Sequence, residues 1–249
     1  MKANTDLVVS QVAIAGPENV YKALTGAIPW TDPSIAAAID KLNEWWQKGY
    51  FGPNYFSLTG EQAFAQVPQG QAAVAPTGTW AFTNVATYFP QNNVEPGFVG
   101  FPNTKGGDPV YALGIGSTFS INAKSANPDG AAAVLDMIFQ PKFYSDMNSV
   151  WQGEWNLPLK DLSSVKIAGT VTPLYEQVMK ELSAAVADNR YGYTSWTFLP
   201  PATDTYLVSG MEEVWLNKIK TADYLKKWDD TFKQEKDAGK VPAIPPRAA

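Results

Sequence analysis

Not one cysteine or histidine occurs in these 249 residues, and this absence limits both how the chain can hold itself together and what chemistry it can do. Disulfides are excluded, as are zinc sites of the common ligand types, so folding must rest on a packed core. The composition supplies one: 45% of the residues are hydrophobic, which at this length suffices for one large or two modest domains. Thiol nucleophiles and Ser-His-Asp triads are ruled out by the same absence. No phosphate-cradling loop of the P-loop or dinucleotide type is present, and no apolar run approaches the roughly 20 residues that span a bilayer.

Charge narrows the ligand class further. The formal net charge is −5, and only two arginines occur, Arg190 and Arg247. A nucleic-acid footprint needs clustered basic residues, so nucleic acid is not an expected partner. An anionic ligand fits poorly, because the usual bidentate partner of carboxylate and phosphate is scarce. Lys226 and Lys227 interleave with Asp229 and Asp230 and read as a solvated helix face. A neutral polar ligand fits best.

The patterning is mixed α/β. Pro33 to Lys48 carries Ile35, Ile39, Leu42 and Trp46 on one helical face, with Asp32 as cap and Pro33 at the first position. Asn127-Pro128 opens a second helix in the same way, with Ala131, Val134, Leu135 and Ile138 inward. Further helices are predicted for Pro173 to Ala187 and for Pro201 through Lys218, and Thr221 is read as the cap of one over Ala222 to Asp237. Trp215 and Trp228 read as core. Short strands are predicted at Val8 to Ala13, Ala72 to Ala75, Gly97 to Phe101 and Thr118 to Ile121. The Pro-rich end from Val241 reads as an extended tail.

Three aromatic segments draw the functional reading. In Gln69-Gly-Gln-Ala-Ala-Val-Ala-Pro-Thr-Gly-Thr-Trp80, a short apolar run ends at Pro76, Gly78 allows a bend, and Trp80 sits where a strand gives way to a helix. Ligands of α/β sheets gather outside the carboxyl ends of strands, although taken alone the indole of Trp80 reads as cover for the end of the core. Trp151-Gln-Gly-Glu-Trp155-Asn-Leu-Pro158 combines flat aromatic faces, suited to sugar C–H faces, with Gln152 and Glu154 for hydroxyls; packing between domains is the alternative. Tyr191 to Tyr206 contains Trp196, Asp204 and Tyr206.

Gly70-Gln71-Ala72-Ala73-Val74 followed by Gly78-Thr79-Trp80 resembles the "GxAAM…GxW" signature of the sugar-binding, maltose-binding-protein-like family of extracellular solute-binding proteins of bacterial ABC importers. Trp30-Thr-Asp-Pro33 leading to Lys48-Gly-Tyr50 resembles the approach to that signature, and Phe119-Ser-Ile-Asn with its following Ala-rich helix resembles the segment after it. The resemblance runs over nearly the whole chain. It implies a type II periplasmic-binding-protein-like α/β lobe, a mixed sheet flanked by helices, and a segment returning to a first lobe. The corresponding boundaries are a second-lobe segment at 1–112, the returning segment at 113–170, C-terminal helices of the second lobe at 171–240, and a tail at 241–249.

What the resemblance implies for function is capture without chemistry. Two lobes close about a hinge on a neutral sugar or oligosaccharide, and the closed form is presented to the membrane permease of the ABC transporter. The location implied is periplasmic or extracellular, and no cofactor is implied. Ligand-binding roles then fall on Trp80, Trp151, Glu154, Trp155, Trp196, Asp204 and Tyr206, with Tyr206 in a stacking position where maltose-binding protein has Trp. Family members begin with a signal peptide and a first lobe, and the present chain reads as the portion without that N-terminal lobe. Two other readings stay open: a carboxylate-dependent glycoside hydrolase using Glu154, Asp204 or Glu212-Glu213, and a single-lobe interaction module with an exposed apolar face.

Overall fold

Prolines and glycines punctuate the chain into ten α-helices and little else that is regular among the described residues, which in this computed structural model are 2–114, 116, 119–155, 166 and 172–247. In chain order these are α1 (Lys2–Ser10), α2 (Pro17–Thr25), α3 (Pro33–Gln47), α4 (Gly60–Ala65), α5 (Phe82–Gln91), α6 (Pro128–Ile138), α7 (Pro141–Val150), α8 (Thr172–Ala187), α9 (Pro201–Trp215) and α10 (Thr221–Asp237). Two strands, β1 (Tyr111–Leu113) and β2 (Tyr191–Tyr193), pair in parallel with Tyr111 opposite Tyr191 and Leu113 opposite Tyr193. Two 3₁₀ turns, Thr79–Ala81 and Ser195–Thr197, carry Trp80 and Trp196.

The helix starts follow local chemistry. Asp32 accepts the Ser34 backbone N–H at 2.9 Å and its hydroxyl at 2.6 Å, and Pro33 takes the first helical position, where its missing N–H costs nothing. Asn127 caps α6 by accepting the Gly130 N–H at 3.0 Å. Contacts divide the chain into two units. One comprises Met1–Gly60, Val99–Ile115 and Leu182–Ala249, the other Glu61–Phe98 and Gly116–Glu181.

The core of the first unit is aromatic. Trp30, Trp215 and Trp228 are fully buried; Trp30 stacks on Trp228 at 4.3 Å, and Trp46 lies nearly parallel to Trp215 at 4.9 Å. The burial of Trp215 and Trp228 agrees with the sequence reading. Asp229 serves the same core, accepting the Trp30 backbone N–H at 2.9 Å. Gly210 is required where α9 meets α10, because a Cβ there would fall 2.6 Å from the Tyr224 ring. In the second unit Phe82, Val85 and Phe89 of α5 pack with Tyr175 and Val178 of α8, and the Tyr144 and Tyr175 hydroxyls meet at 3.1 Å.

Several expectations are corrected. Val8 to Ala13 is not a strand; it lies in α1 and in the π-helical stretch Gln11–Ala15 that follows. The segment is buried nearly all round, and burial of that kind removes the periodicity that separates strand from helix. Ala72 to Ala75 forms no strand: Val74 is 73% exposed, and small alanines give a sheet little to pack. Of Gly97 to Phe101 only a bridge from Phe101 to Val110 is regular. Thr118 lies outside the described residues, and Phe119 to Ile121 is not a strand. On α6 Ile138 is buried while Val134 is 53% exposed. Thr221 is the first residue of α10, with Lys220 before it and no side-chain cap.

Candidate functional site

The glycine in the Gly78-Thr79-Trp80 sequence has a steric task. A Cβ on Gly78 would lie 2.2 Å from the Trp80 ring, so the indole folds back over the glycine and is fixed there while remaining 50% exposed. The 3₁₀ turn bearing it runs directly into α5, whose first residue Phe82 is buried in the core of that unit. An exposed aromatic face anchored at its base is what a stacking ligand needs.

The 151–155 loop is built onto the same turn. Gly153 has φ +84°, and a Cβ there would stand 2.0 Å from the Thr79 carbonyl oxygen and 2.6 Å from the Phe82 ring. Only glycine satisfies both the positive φ and the contact. Asn148, fully buried near the end of α7, clamps the loop. Its carboxamide donates to the Trp155 carbonyl at 3.1 Å and accepts the Gly153 N–H at 3.1 Å. Gln152 is buried and donates to the Thr172 hydroxyl at 3.1 Å.

On this frame Trp151 is 42% exposed and Glu154 is exposed. Trp155 is half-buried, stacked on Phe119 at 5.7 Å and edge-on to Phe143 at 5.5 Å. Its indole nitrogen is buried with no partner among the described residues. Within the second unit the close approach of Gly153 to Thr79 places the loop carrying Trp151, Glu154 and Trp155 against the turn that bears Trp80. Asn148 and Gly153 were given no role in the sequence reading, and Phe119 entered it only as part of a motif. A buried-type Asn just before a Gly-containing aromatic loop was the available signal.

The first unit holds the remaining three candidates separately. Trp196 is half-buried and packs against the Val8, Val12 and Val110 cluster and the main core; the neighbouring Ser195 hydroxyl donates to buried Gln11 at 2.8 Å. Asp204, in the first turn of α9, has a buried carboxylate oxygen without a partner among the described residues, and burial pushes its pKa above the ordinary aspartate value. Tyr206 lies against Tyr224 at 5.7 Å, and the Lys227 ammonium sits over its ring at 4.3 Å. Residues two apart on a helix face different ways, so α9 does not bring Asp204 and Tyr206 to one spot.

Asp204 and Glu212 are both on α9, separated along its axis by about 12 Å at 1.5 Å per residue, beyond the roughly 5–9.5 Å that glycoside hydrolysis uses. Among the described residues no three acidic groups gather as a metal site.

Residues 3–144 match the family of bacterial extracellular solute-binding proteins, more than half of the chain. The chain belongs to that family. It is 28% identical over 177 residues to an ABC transporter extracellular-binding protein of Pyrococcus horikoshii, covering 71% of this chain and 37% of that protein. It is 32% identical over 77 residues to the glucose-binding protein GlcS of Saccharolobus solfataricus, covering 30% of this chain and 14% of that one. The chain therefore spans well under half the length of these relatives.

Among solved structures, a chitin oligosaccharide binding protein superposes with a TM-score of 0.72 at 18% identity, over 93% of this chain and 56% of that chain. A protein from work on xylan utilization by Caldanaerobius polysaccharolyticus gives 0.68 at 18% identity, over 92% and 58%. The fold is shared with these proteins, and it is the periplasmic-binding-protein-like α/β class that the sequence resemblance implied.

Proposed function

We propose that this chain belongs to the receptor of an ABC sugar importer and captures a neutral sugar or oligosaccharide by stacking, without turning it over. The observation that carries the reading is the aromatic shelf of the second unit: Trp80 seated on Gly78 and half exposed, with the Trp151–Trp155 loop locked beside it by Gly153. Flat faces accept sugar C–H surfaces, while Glu154 and the Trp155 indole supply an acceptor and a donor for hydroxyls. The relatives named above are binding proteins, and the carboxylate spacing on α9 supports binding over hydrolysis.

The partners that follow are a carbohydrate and the transporter's membrane permease, to which a ligand-bound closed form is offered. Ligand shifts the open–closed equilibrium only as far as it prefers the closed form. Family membership favours an extracellular or periplasmic place of action, and no described helix is long and apolar enough to cross a membrane.

The test is intrinsic tryptophan fluorescence titrated with neutral mono- and oligosaccharides, on this chain and on Trp80→Ala. A saturable change that Trp80→Ala abolishes is the expected result. Saturable change that survives the substitution removes Trp80 from the site. No response from this chain or from a version extended at either end refutes the proposal.

A further inference from the structure

The proline-rich segment that follows α10 is seated on the first unit. Gly239, at φ +69°, turns the chain out of the helix. Along residues 241–247 exposure then repeats every third residue: Val241, Ile244 and Arg247 are half-buried, while Pro242, Ala243, Pro245 and Pro246 are exposed. A repeat of three is that of the polyproline II helix, which proline favours and which makes no internal hydrogen bonds. Val241 and Ile244 pack against the main core of the unit.

Arg247 closes the seat. Its side chain is 7% exposed, and its guanidinium lies over the Tyr191 ring at 5.3 Å. It donates to the Asn189 carbonyl and to the Asn189 side-chain oxygen, each at 3.0 Å. Glu18 of α2 pairs with it at 3.3 Å but is itself 63% exposed, so water screens that pair, and the ring and Asn189 carry most of the hold. Tyr191 and Tyr21 flank Tyr193 at 5.9 and 6.3 Å between ring centres, which makes the surface aromatic. Asn189, at φ +54°, lies in the turn from α8 into β2. Arg190 fixes the same turn, donating to the Pro109 carbonyl at 2.8 Å and pairing with Asp188 at 3.2 Å. Both arginines of the chain therefore act on one turn.

We propose that the surface formed by α2 and the α8–β2 turn is a docking site for an extended, proline-rich peptide of the pattern apolar-x-x-apolar-x-x-Arg, filled here by the chain's own residues 241–247 as an exchangeable strap. A segment of this kind is stiff before it docks and loses little entropy on docking, and aromatic surfaces are what such segments recognise. The two aliphatic side chains set the register, and the guanidinium over Tyr191 supplies the specific end. The proposal does not depend on the sugar reading. A tethered strap acts at an effective concentration of about 1 mM, so a peptide supplied from outside enters only when the strap is weakened or removed.

The probe is the amidated peptide Val-Pro-Ala-Ile-Pro-Pro-Arg with a fluorophore at its N-terminus. Its anisotropy is followed against the unsubstituted chain, Arg247→Ala and a version ended at Lys240, with near-UV circular dichroism reporting the fold of each. The two opened proteins should bind it saturably, and the unsubstituted chain should not bind it below about 1 mM. A peptide with Ala in place of Arg should bind roughly tenfold more weakly, and one with Lys should recover only part of that, because Lys keeps the charge but lacks the planar fork. Absence of saturable binding to both opened proteins overturns the proposal, as does equal affinity for the Arg and Ala peptides. Binding of the peptide by the unsubstituted chain at low concentration would place its site away from the strap and overturn it too. Loss of fold in both opened proteins would make residues 241–247 an obligatory part of the core, and the strap would not be exchangeable.

Discussion

Gly153→Ala isolates the contact on which the aromatic shelf depends. The substitution has two costs. Holding an L-residue at φ +84° costs about 1–2 kcal/mol. The new methyl would also stand 2.0 Å from the Thr79 carbonyl oxygen and 2.6 Å from the Phe82 ring. Neither is a flexible side-chain end: Thr79 is backbone of the Trp80 turn, and Phe82 is 5% exposed in the core. Relief therefore requires the loop and the turn to separate, an overpacking cost of about 1–3 kcal/mol.

The sum is roughly 2–5 kcal/mol. Gly70→Ala, in the same unit, is the control: its φ is +71° but nothing lies within 4 Å of the added Cβ, so it should cost only the conformational part, about 1–2 kcal/mol. Urea unfolding followed by tryptophan fluorescence and near-UV circular dichroism measures both, each transition fitted separately if the units unfold in turn. Equal destabilisation by the two substitutions would refute the argument that the loop is locked onto the Trp80 turn.

Three further outcomes are expected. Gly78→Ala should fold with little loss, since φ −138° suits any residue, yet it should shift the fluorescence of the displaced Trp80 indole and weaken sugar binding; retained affinity would dissociate the anchored indole from the site. Asp204→Asn should raise the melting temperature of the unliganded chain while lowering sugar affinity, and a fall in both would show the carboxylate to be structural. Glu235 accepts from the Ala202 and Thr203 N–H groups at the start of α9, so acid titration of stability should lose a component at low pH that Glu235→Gln lacks, measured by urea unfolding across pH 3 to 7; coincident profiles would show that these contacts do not hold its carboxyl down.

Legibility in the sequence followed the range of the interactions. The starts of α3 and α6 were readable because Asp32-Pro33 and Asn127-Pro128 act on the next three residues. Burial of Trp215 and Trp228 was readable because helical periodicity is local. The sheet was not readable: β1 and β2 are three residues each, and a parallel pair joins segments far apart in the chain. Val8 to Ala13 misled because a segment buried on nearly all sides, Ser10 and Gln11 included, has no period to read. At the site the aromatic side chains were visible, but the reasons for their arrangement were not. Gly153 meets Thr79 and Glu235 meets Thr203 across separations that no motif spans.

The Asp204 carboxyl in the first turn of α9 and the Glu235 carboxyl that accepts from Ala202 and Thr203 have pKa shifts of opposite sign. For Glu235 burial pushes the pKa up, but the Thr203 and Ala202 donors together with Lys240 outweigh it and hold the carboxyl below its ordinary 4.5. A depressed folded-state pKa contributes stability above the unfolded value and loses it as pH falls through the folded one. For Asp204 burial alone raises the pKa above 3.8, so the unliganded fold gains stability as pH falls through that raised value toward the unfolded one. A hydroxyl donated by a ligand favours the charged form of Asp204 and opposes that rise. On the proposed reading of Asp204 as a ligand acceptor, binding and Asp204 protonation compete, and affinity should fall as pH falls through the raised Asp204 value.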